Sequence, residues 1–155
     1  MERRLDYAKT APGASRAMYA LHKYAEESGL EHSLLELIKT RASQINGCAY
    51  CIDMHTKDAR VRGETEQRLY ALSAWHEAPF FTDRERAALA WTESLTLISE
   101  THVPDAVFAE ARQHFSEAEL VNLTMAVIAI NGWNRLAISF REVAGSYQPP
   151  AHLSE

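Results

Sequence analysis

The stretch Ile45-Asn46-Gly47-Cys48-Ala49-Tyr50-Cys51-Ile52-Asp53-Met54-His55 holds both cysteines of the chain, three residues apart, with a histidine four residues beyond the second. Asn46-Gly47 is a helix stop, because these residues tolerate the left-handed backbone on which helices end. The cysteines therefore open the next helix. On a helix, positions i, i+3 and i+7 share a face, so Cys48, Cys51 and His55 point the same way. The N-terminal end of a helix carries partial positive charge, which favours thiolate over thiol. A thiolate pair with an imidazole one turn along is equipped for dithiol chemistry or for holding a metal.

Working outward from this stop-and-start, helix signals are dense and strand signals scarce. Residues 1–14 read as irregular, closed by Pro12-Gly13. Ser15 caps a helix running to about Ser28, with Met18, Leu21, Tyr24 and Ala25 on one stripe and Gly29 behind it. A second helix starts at His32 or Ser33 and carries the apolar arc Leu34, Leu35, Leu37, Ile38, Ala42 and Ile45. A third runs from Cys48 to about Arg62, and a fourth from about Glu64 to Trp75, breaking before Pro79. Thr82-Asp83-Arg84-Glu85 is a capping box that opens a fifth helix. Val103-Pro104-Asp105 begins a short sixth. Ser116-Glu117-Ala118-Glu119, a second capping box, opens a long seventh helix to about Val143, before Ala144-Gly145 and a loose tail at Gln148-Pro149-Pro150. The middle of the seventh is apolar on nearly every side, which predicts burial on nearly every side. The expectation is an all-α helical bundle of about seven helices, one domain over residues 1–155.

Composition narrows the function classes. The chain has 155 residues, 46% hydrophobic and 24% charged, the profile of one globular domain with a full core. A net charge of -5 leaves no excess of Lys and Arg to neutralise phosphates, so nucleic acid is not an expected partner. The start Met1-Glu2-Arg3-Arg4-Leu5 lacks the apolar core of a signal peptide, and the longest apolar run, 125–130, is far too short to span a bilayer. A cytoplasmic location with no membrane association follows as an expectation. In a reducing compartment, a C-x-x-C pair reads as redox or metal chemistry rather than as a structural staple.

Zinc would find Cys48, Cys51, His55 and Glu36, but structural zinc sites use two ligand pairs and no second Cys or His pair stands at ligand spacing. The dithiol reading needs only what is present. The two sulfurs of a C-x-x-C can close a disulfide with little backbone movement, and one can attack an oxidant while the other condenses with the resulting sulfenic acid. His55 is four residues from Cys51 and seven from Cys48, so it is the nearer base to Cys51. Cys51 is then the attacking thiol and Cys48 the resolving one. The polar set Asn131, Asn134 and Arg135 on an apolar helix, around Gly132 and Trp133, reads as core or intersubunit hydrogen bonding. Trp75, Phe80, Phe81 and Trp91 read as core packing, and His22 and His32 suggest no role.

The pattern Glu36…Cys48-x-x-Cys51-x-x-x-His55…Gly63, specific over residues 34–64, resembles the AhpD-like alkylhydroperoxidase family within the wider carboxymuconolactone decarboxylase superfamily. The resemblance implies an all-helical fold and a thiol peroxidase acting on hydrogen peroxide or alkyl hydroperoxides, without metal or organic cofactor. It implies Cys51 as peroxide-attacking cysteine, Cys48 as resolving cysteine, and His55 with Glu36 as a proton relay. It further implies a lipoylated or thioredoxin-like dithiol reductant and a trimeric or hexameric homo-oligomer. AhpD itself carries a histidine immediately before the second cysteine, where this chain has Tyr50. Helical periodicity sets Glu36 away from the Leu34/Ile38/Ile45 stripe, the position of a solvated carboxylate, unless a subunit contact covers that face. Two rival readings are a carboxymuconolactone-type decarboxylase and a non-catalytic redox or metal-binding protein. Ring-opening decarboxylation needs a proton donor and not a dithiol, so the cysteine pair speaks against the first.

Overall fold

The structure is a computed structural model that describes residues 2–151; the extreme ends of the expected 1–155 domain lie outside the described residues. The described regular structure is entirely helical: α1 (Tyr7–Thr10), α2 (Pro12–Glu26), α3 (His32–Asn46), α4 (Ala49–Val61), α5 (Glu66–Ala71) continued by a 3-10 turn (Leu72–Ala74), α6 (Asp83–Thr96), α7 (Ile98–Thr101), α8 (Asp105–His114) and α9 (Glu117–Phe140). The all-α expectation holds, with the short α1 and α7 added to the seven helices read from periodicity.

The stop-and-start at the cysteines is built as the sequence implies. Gly47 adopts the left-handed conformation at φ 70°, and the N–H of Cys48 returns to the Ser43 carbonyl at 2.9 Å, closing α3. Cys48 then caps α4, its Sγ accepting from the Cys51 N–H at 3.3 Å. Both capping boxes form: Thr82 with Glu85 opens α6, and Ser116 with Glu119 opens α9.

Several boundaries differ for local reasons. Pro12-Gly13 opens α2 rather than closing an irregular segment, because proline suits the first helical turn, where its missing N–H has no intrahelical partner. Ser15 therefore lies inside α2, buried, and the cap position is Ala11. The fourth expected helix begins later, behind Thr65, whose hydroxyl accepts from the Arg68 N–H. α9 stops at Phe140, before Val143, with Arg141 left-handed at φ 56°.

α3 is the central element and packs against α4, α6 and α9. Leu35, Leu37 and Ile38 are completely buried on it. Leu35 and Ile38 join Trp91, Phe115, Leu123 and Val127 in the main core, while Leu37 joins Leu72, Trp75, Phe81 and Leu89. Trp75, Phe81 and Trp91 are thus core residues as expected, but Phe80 and Tyr24 are exposed. The Met18 side chain of α2 lies over Gly132, where a Cβ would stand 2.7 Å from its methyl and require that flexible side chain to shift. α9 is not covered all round: Val121, Ile128 and Ile138 face outward from the single chain. No described helix is long and apolar enough to cross a membrane.

Asn134, fully buried, accepts from Asn46 Nδ2 at 2.8 Å and donates to Ser43 Oγ at 3.0 Å. Its role is core hydrogen bonding, joining α9 to the last turn of α3. Arg135 sits on the surface and donates to the Asn131 carbonyl of its own helix. Replacing Asn134 by Ala takes a partner from the buried Ser43 hydroxyl and one of two acceptors from the half-buried Asn46 amide, at a cost of about 1–3 kcal/mol. Urea unfolding of Asn134→Ala should show that loss, and a variant as stable as wild type would remove this tie from the account.

Candidate active site

Three helices assemble the site. α4 supplies Cys51 and His55, α3 supplies Glu36 and Lys39, and α2 supplies Glu26 and His22. The two cysteines are joined as a disulfide, with their Cα atoms 5.3 Å apart, and both are buried. They pack with Ala42, Ile130 and Ala137, so α4 presents its first turn to the middle of α9.

His55 Nδ1 stands 2.8 Å from Glu36 Oε2, and Glu36 Oε1 accepts from Lys39 Nζ at 3.0 Å. Lys39 also donates to Glu26, which in turn lies 3.3 Å from His32 Nδ1. Glu36, Lys39 and His55 are each 3–4% exposed. The solvated position expected for Glu36 is therefore wrong, and no subunit contact is needed to bury it. Periodicity assigns an apolar stripe, but α3 is enclosed by α4, α6 and α9, so positions off its stripe also lie inside.

A buried carboxylate is driven toward its neutral form, yet the charges and hydrogen bonds of His55 and Lys39 outweigh burial and hold Glu36 down to about 2. Burial opposes the Lys39 charge, but Glu36 and Glu26 together raise it. An ionised Glu36 accepts only, so it selects the His55 tautomer with the proton on Nδ1 and leaves Nε2 as the free acceptor. That Nε2 is buried and has no hydrogen-bond partner among the described residues.

A cavity of about 500 Å³ opens over these groups. Cys51, Glu36 and His55 line it, with Tyr50, Trp133 and Tyr147 among the aromatic walls. Burial pushes the titration of the Tyr50 phenol further upward, so the position that carries a histidine in AhpD holds a neutral hydroxyl here. Of the Asn131–Arg135 segment, Trp133 reaches the cavity and Asn134 serves the core.

Four residues escaped the sequence reading. Lys39 follows Glu36 by three, an i,i+3 pair visible in sequence but indistinguishable there from a surface ion pair. His22 lines the cavity beside Glu26 and Lys39, although its sequence surroundings suggested nothing. Asp58 is buried on α4, which raises its carboxyl, and it accepts from Tyr147 Oη at 2.8 Å. Tyr147 precedes the expected loose tail, and its carbonyl accepts from Lys57 while the Gly145 N–H donates to Asp53. The chain after α9 is thus laid against α4. Glu36, His55 and Asp58 each bring a possible ligand atom to within 4.8 Å of the others. The ammonium of Lys39 already supplies positive charge to that group, so the donor set does not call for a cation.

The helical fold, the helix-opening cysteine pair and the buried His–Glu pair define a class, and sequence comparison places the chain in it. Residues 12–94 match the carboxymuconolactone decarboxylase family, and the chain belongs to that family in its AhpD-like branch. It is 44% identical to the uncharacterized protein YdfG of Bacillus subtilis over 146 residues, covering 94% of this chain and 99% of that one. A crystal structure of a protein of unknown function from Agrobacterium tumefaciens, provisionally assigned as the antioxidant defence protein AhpD, superposes with a TM-score of 0.91 at 47% identity, covering 94% of this chain and 100% of the other. An uncharacterized peroxidase-related protein from Ralstonia eutropha with an alkylhydroperoxidase AhpD core shares the fold at a TM-score of 0.77 and 21% identity, covering 95% and 76%.

The Glu36 carboxyl titrates below its ordinary 4.5 when folded, so its ionised form stabilises the protein above that pH and the contribution fades as pH falls toward about 2. Glu36→Gln should therefore be less stable by about 3 kcal/mol at pH 7, with the gap more than halved at pH 3. Urea unfolding at both pH values checks this. An equal gap at the two would contradict it.

Proposed function

We propose that this protein is a thiol peroxidase that reduces hydrogen peroxide or alkyl hydroperoxides through a Cys48/Cys51 dithiol–disulfide cycle. The observation that carries the reading is that Cys51 lines the cavity with His55 and Glu36, while its disulfide partner Cys48 sits in the cap of the same helix. The reduced Cys51 thiol gives its proton to His55 Nε2, and Glu36 stabilises the imidazolium through Nδ1. The thiolate attacks the outer peroxide oxygen and the O–O bond breaks. Sulfur becomes sulfenic acid, and the departing alkoxide takes the proton from His55. The Cys48 thiol then attacks the sulfenic sulfur, forming the disulfide and releasing water. An external dithiol, lipoylated or thioredoxin-like, returns both cysteines to thiols and leaves as a disulfide. The cycle uses no metal and no organic cofactor. The assignment of the Agrobacterium tumefaciens protein to antioxidant defence and the peroxidase-related standing of the Ralstonia eutropha protein support the same class of activity. A reducing compartment such as the cytoplasm suits the cycle.

The proposal includes a homo-oligomer, trimer or hexamer. Ile128 and Ile98 are about half exposed on a groove that α9, α6 and α7 form away from the active site, and Val121 continues the apolar surface. Light scattering should give three or six times 17.5 kDa, and a monomer or dimer mass would overturn this part.

One equivalent of peroxide should consume both free thiols of the reduced protein, as thiol titration reads out; two remaining thiols would end the peroxidase reading. Cys51→Ser should abolish sulfenic acid formation, whereas Cys48→Ser should let it accumulate for trapping by a dimedone-type reagent. The reverse pattern would exchange the two roles.

A further inference from the structure

The proposed cycle uses His55 and Glu36 and leaves unexplained a buried ammonium in direct contact with them. Lys39 is 3% exposed, yet a buried lysine is costly unless its charge is matched. Here it is matched twice, by Glu36 on its own helix and by Glu26 on α2. The two oxygens of Glu36 are divided between two partners, Oε1 to Lys39 and Oε2 to His55. Negative and positive charge thus alternate along a buried row, Glu26, Lys39 and Glu36, that ends at the hydrogen bond to His55.

Resting on the thiol-peroxidase reading, we propose that Lys39 is a positioning residue of the reaction: by holding the other oxygen of Glu36, it limits how much of that negative charge reaches His55 and Cys51. With Lys39 absent, the full carboxylate charge would act on the imidazole and, through it, on the thiol. A negative charge that is less compensated makes every nearby acid hold its proton to higher pH. The direction is the same whether the group read out is the thiol or the imidazolium. Other ionisable groups on the cavity around this row are His22 from α2, Asp58 from α4, Arg62 just after α4, Tyr147 from the chain after α9 and the phenols of Tyr7, Tyr19 and Tyr50, with His32 touching Glu26 at the outer end. Burial and the Lys39 charge keep His22 toward its neutral form. The Asp58 carboxyl is pushed upward and bonded by Tyr147, so neither it nor His22 substitutes for the ammonium. Glu26 has the opposite influence. It draws on Lys39 from the far side, so its removal should leave more of the ammonium for Glu36.

The pH dependence of iodoacetamide alkylation of the reduced protein tests this without requiring any peroxidase activity. In Lys39→Met the alkylation midpoint should rise by about one pH unit, so that alkylation below the midpoint slows about tenfold. Glu26→Gln should move the midpoint down, and Lys39→Arg should stay near wild type. The double variant Glu26→Gln/Lys39→Met leaves no Glu26 carboxylate without its ammonium, so only Glu36 loses a charged partner. It should still titrate above wild type, because the ammonium touches Glu36 directly, and it carries the test where the single variant does not fold. A midpoint unchanged in whichever of these two variants folds, with only thermal stability reduced, would overturn the proposal and make Lys39 a purely structural cation. The same shift should appear in the acid limb of peroxide-driven thiol oxidation. If wild type fails to consume peroxide while the alkylation shift is present, the peroxidase reading fails and the influence of Lys39 on the thiol stands.

Discussion

The Glu36–His55 hydrogen bond is the constraint on which the rest of the site depends. It joins the central helix to the cysteine helix through two side chains that are almost wholly buried. A buried carboxylate is tolerable only when neighbouring charge and hydrogen bonds exceed the cost of removing it from water. In this protein His55 and Lys39 supply that excess, and Glu26 completes the charge balance on the other side. The consequence is chemical as well as structural. The carboxylate stays ionised, the imidazole keeps its proton on Nδ1, and Nε2 is left free at the buried end.

The fold serves this arrangement by making α3 an inner helix. Its apolar stripe fills the core against α6, α8 and α9, while the opposite side carries Glu36 and Lys39 toward α4 and α2. The two faces of one helix thus do different tasks, packing on one and charge placement on the other. The tie from Asn134 to Ser43 and Asn46 holds the end of that helix, and the cysteine turn begins immediately beyond it. A displacement of α9 would therefore be felt at the disulfide.

The cysteine end combines two physical features. Cys48 is both a disulfide partner and the cap of α4, so its sulfur lies where the helix end is most positive. Cys51 is one turn further in and faces the cavity with His55. Aromatic walls from Tyr50, Trp133 and Tyr147 restrict water there, which strengthens the electrostatics of the pair beneath. The chain after α9 contributes one of these walls by bonding to Asp53, Lys57 and Asp58 along α4.

What the sequence determined by itself was local and strongly signalled. The left-handed stop at Gly47, the cysteines at a helix start, both capping boxes and the apolar arc of α3 depend on spacings of three or four residues, and all appear as read. The family pattern from Glu36 to Gly63 was legible on the same scale. Only the tertiary structure decided that Glu36 is buried, since periodicity identifies the main apolar face of a helix but not whether other helices enclose its remaining sides. The same limit explains why α9 looked buried all round although Val121, Ile128 and Ile138 face outward in the single chain. The roles of Lys39, His22 and Tyr147 were illegible for a related reason: what surrounds them comes largely from other helices or from the far end of the chain. Lys39 and Glu26 are 13 residues apart, and Tyr147 and Asp58 are 89 apart. No local spacing brings such groups together; the packing of the helices does.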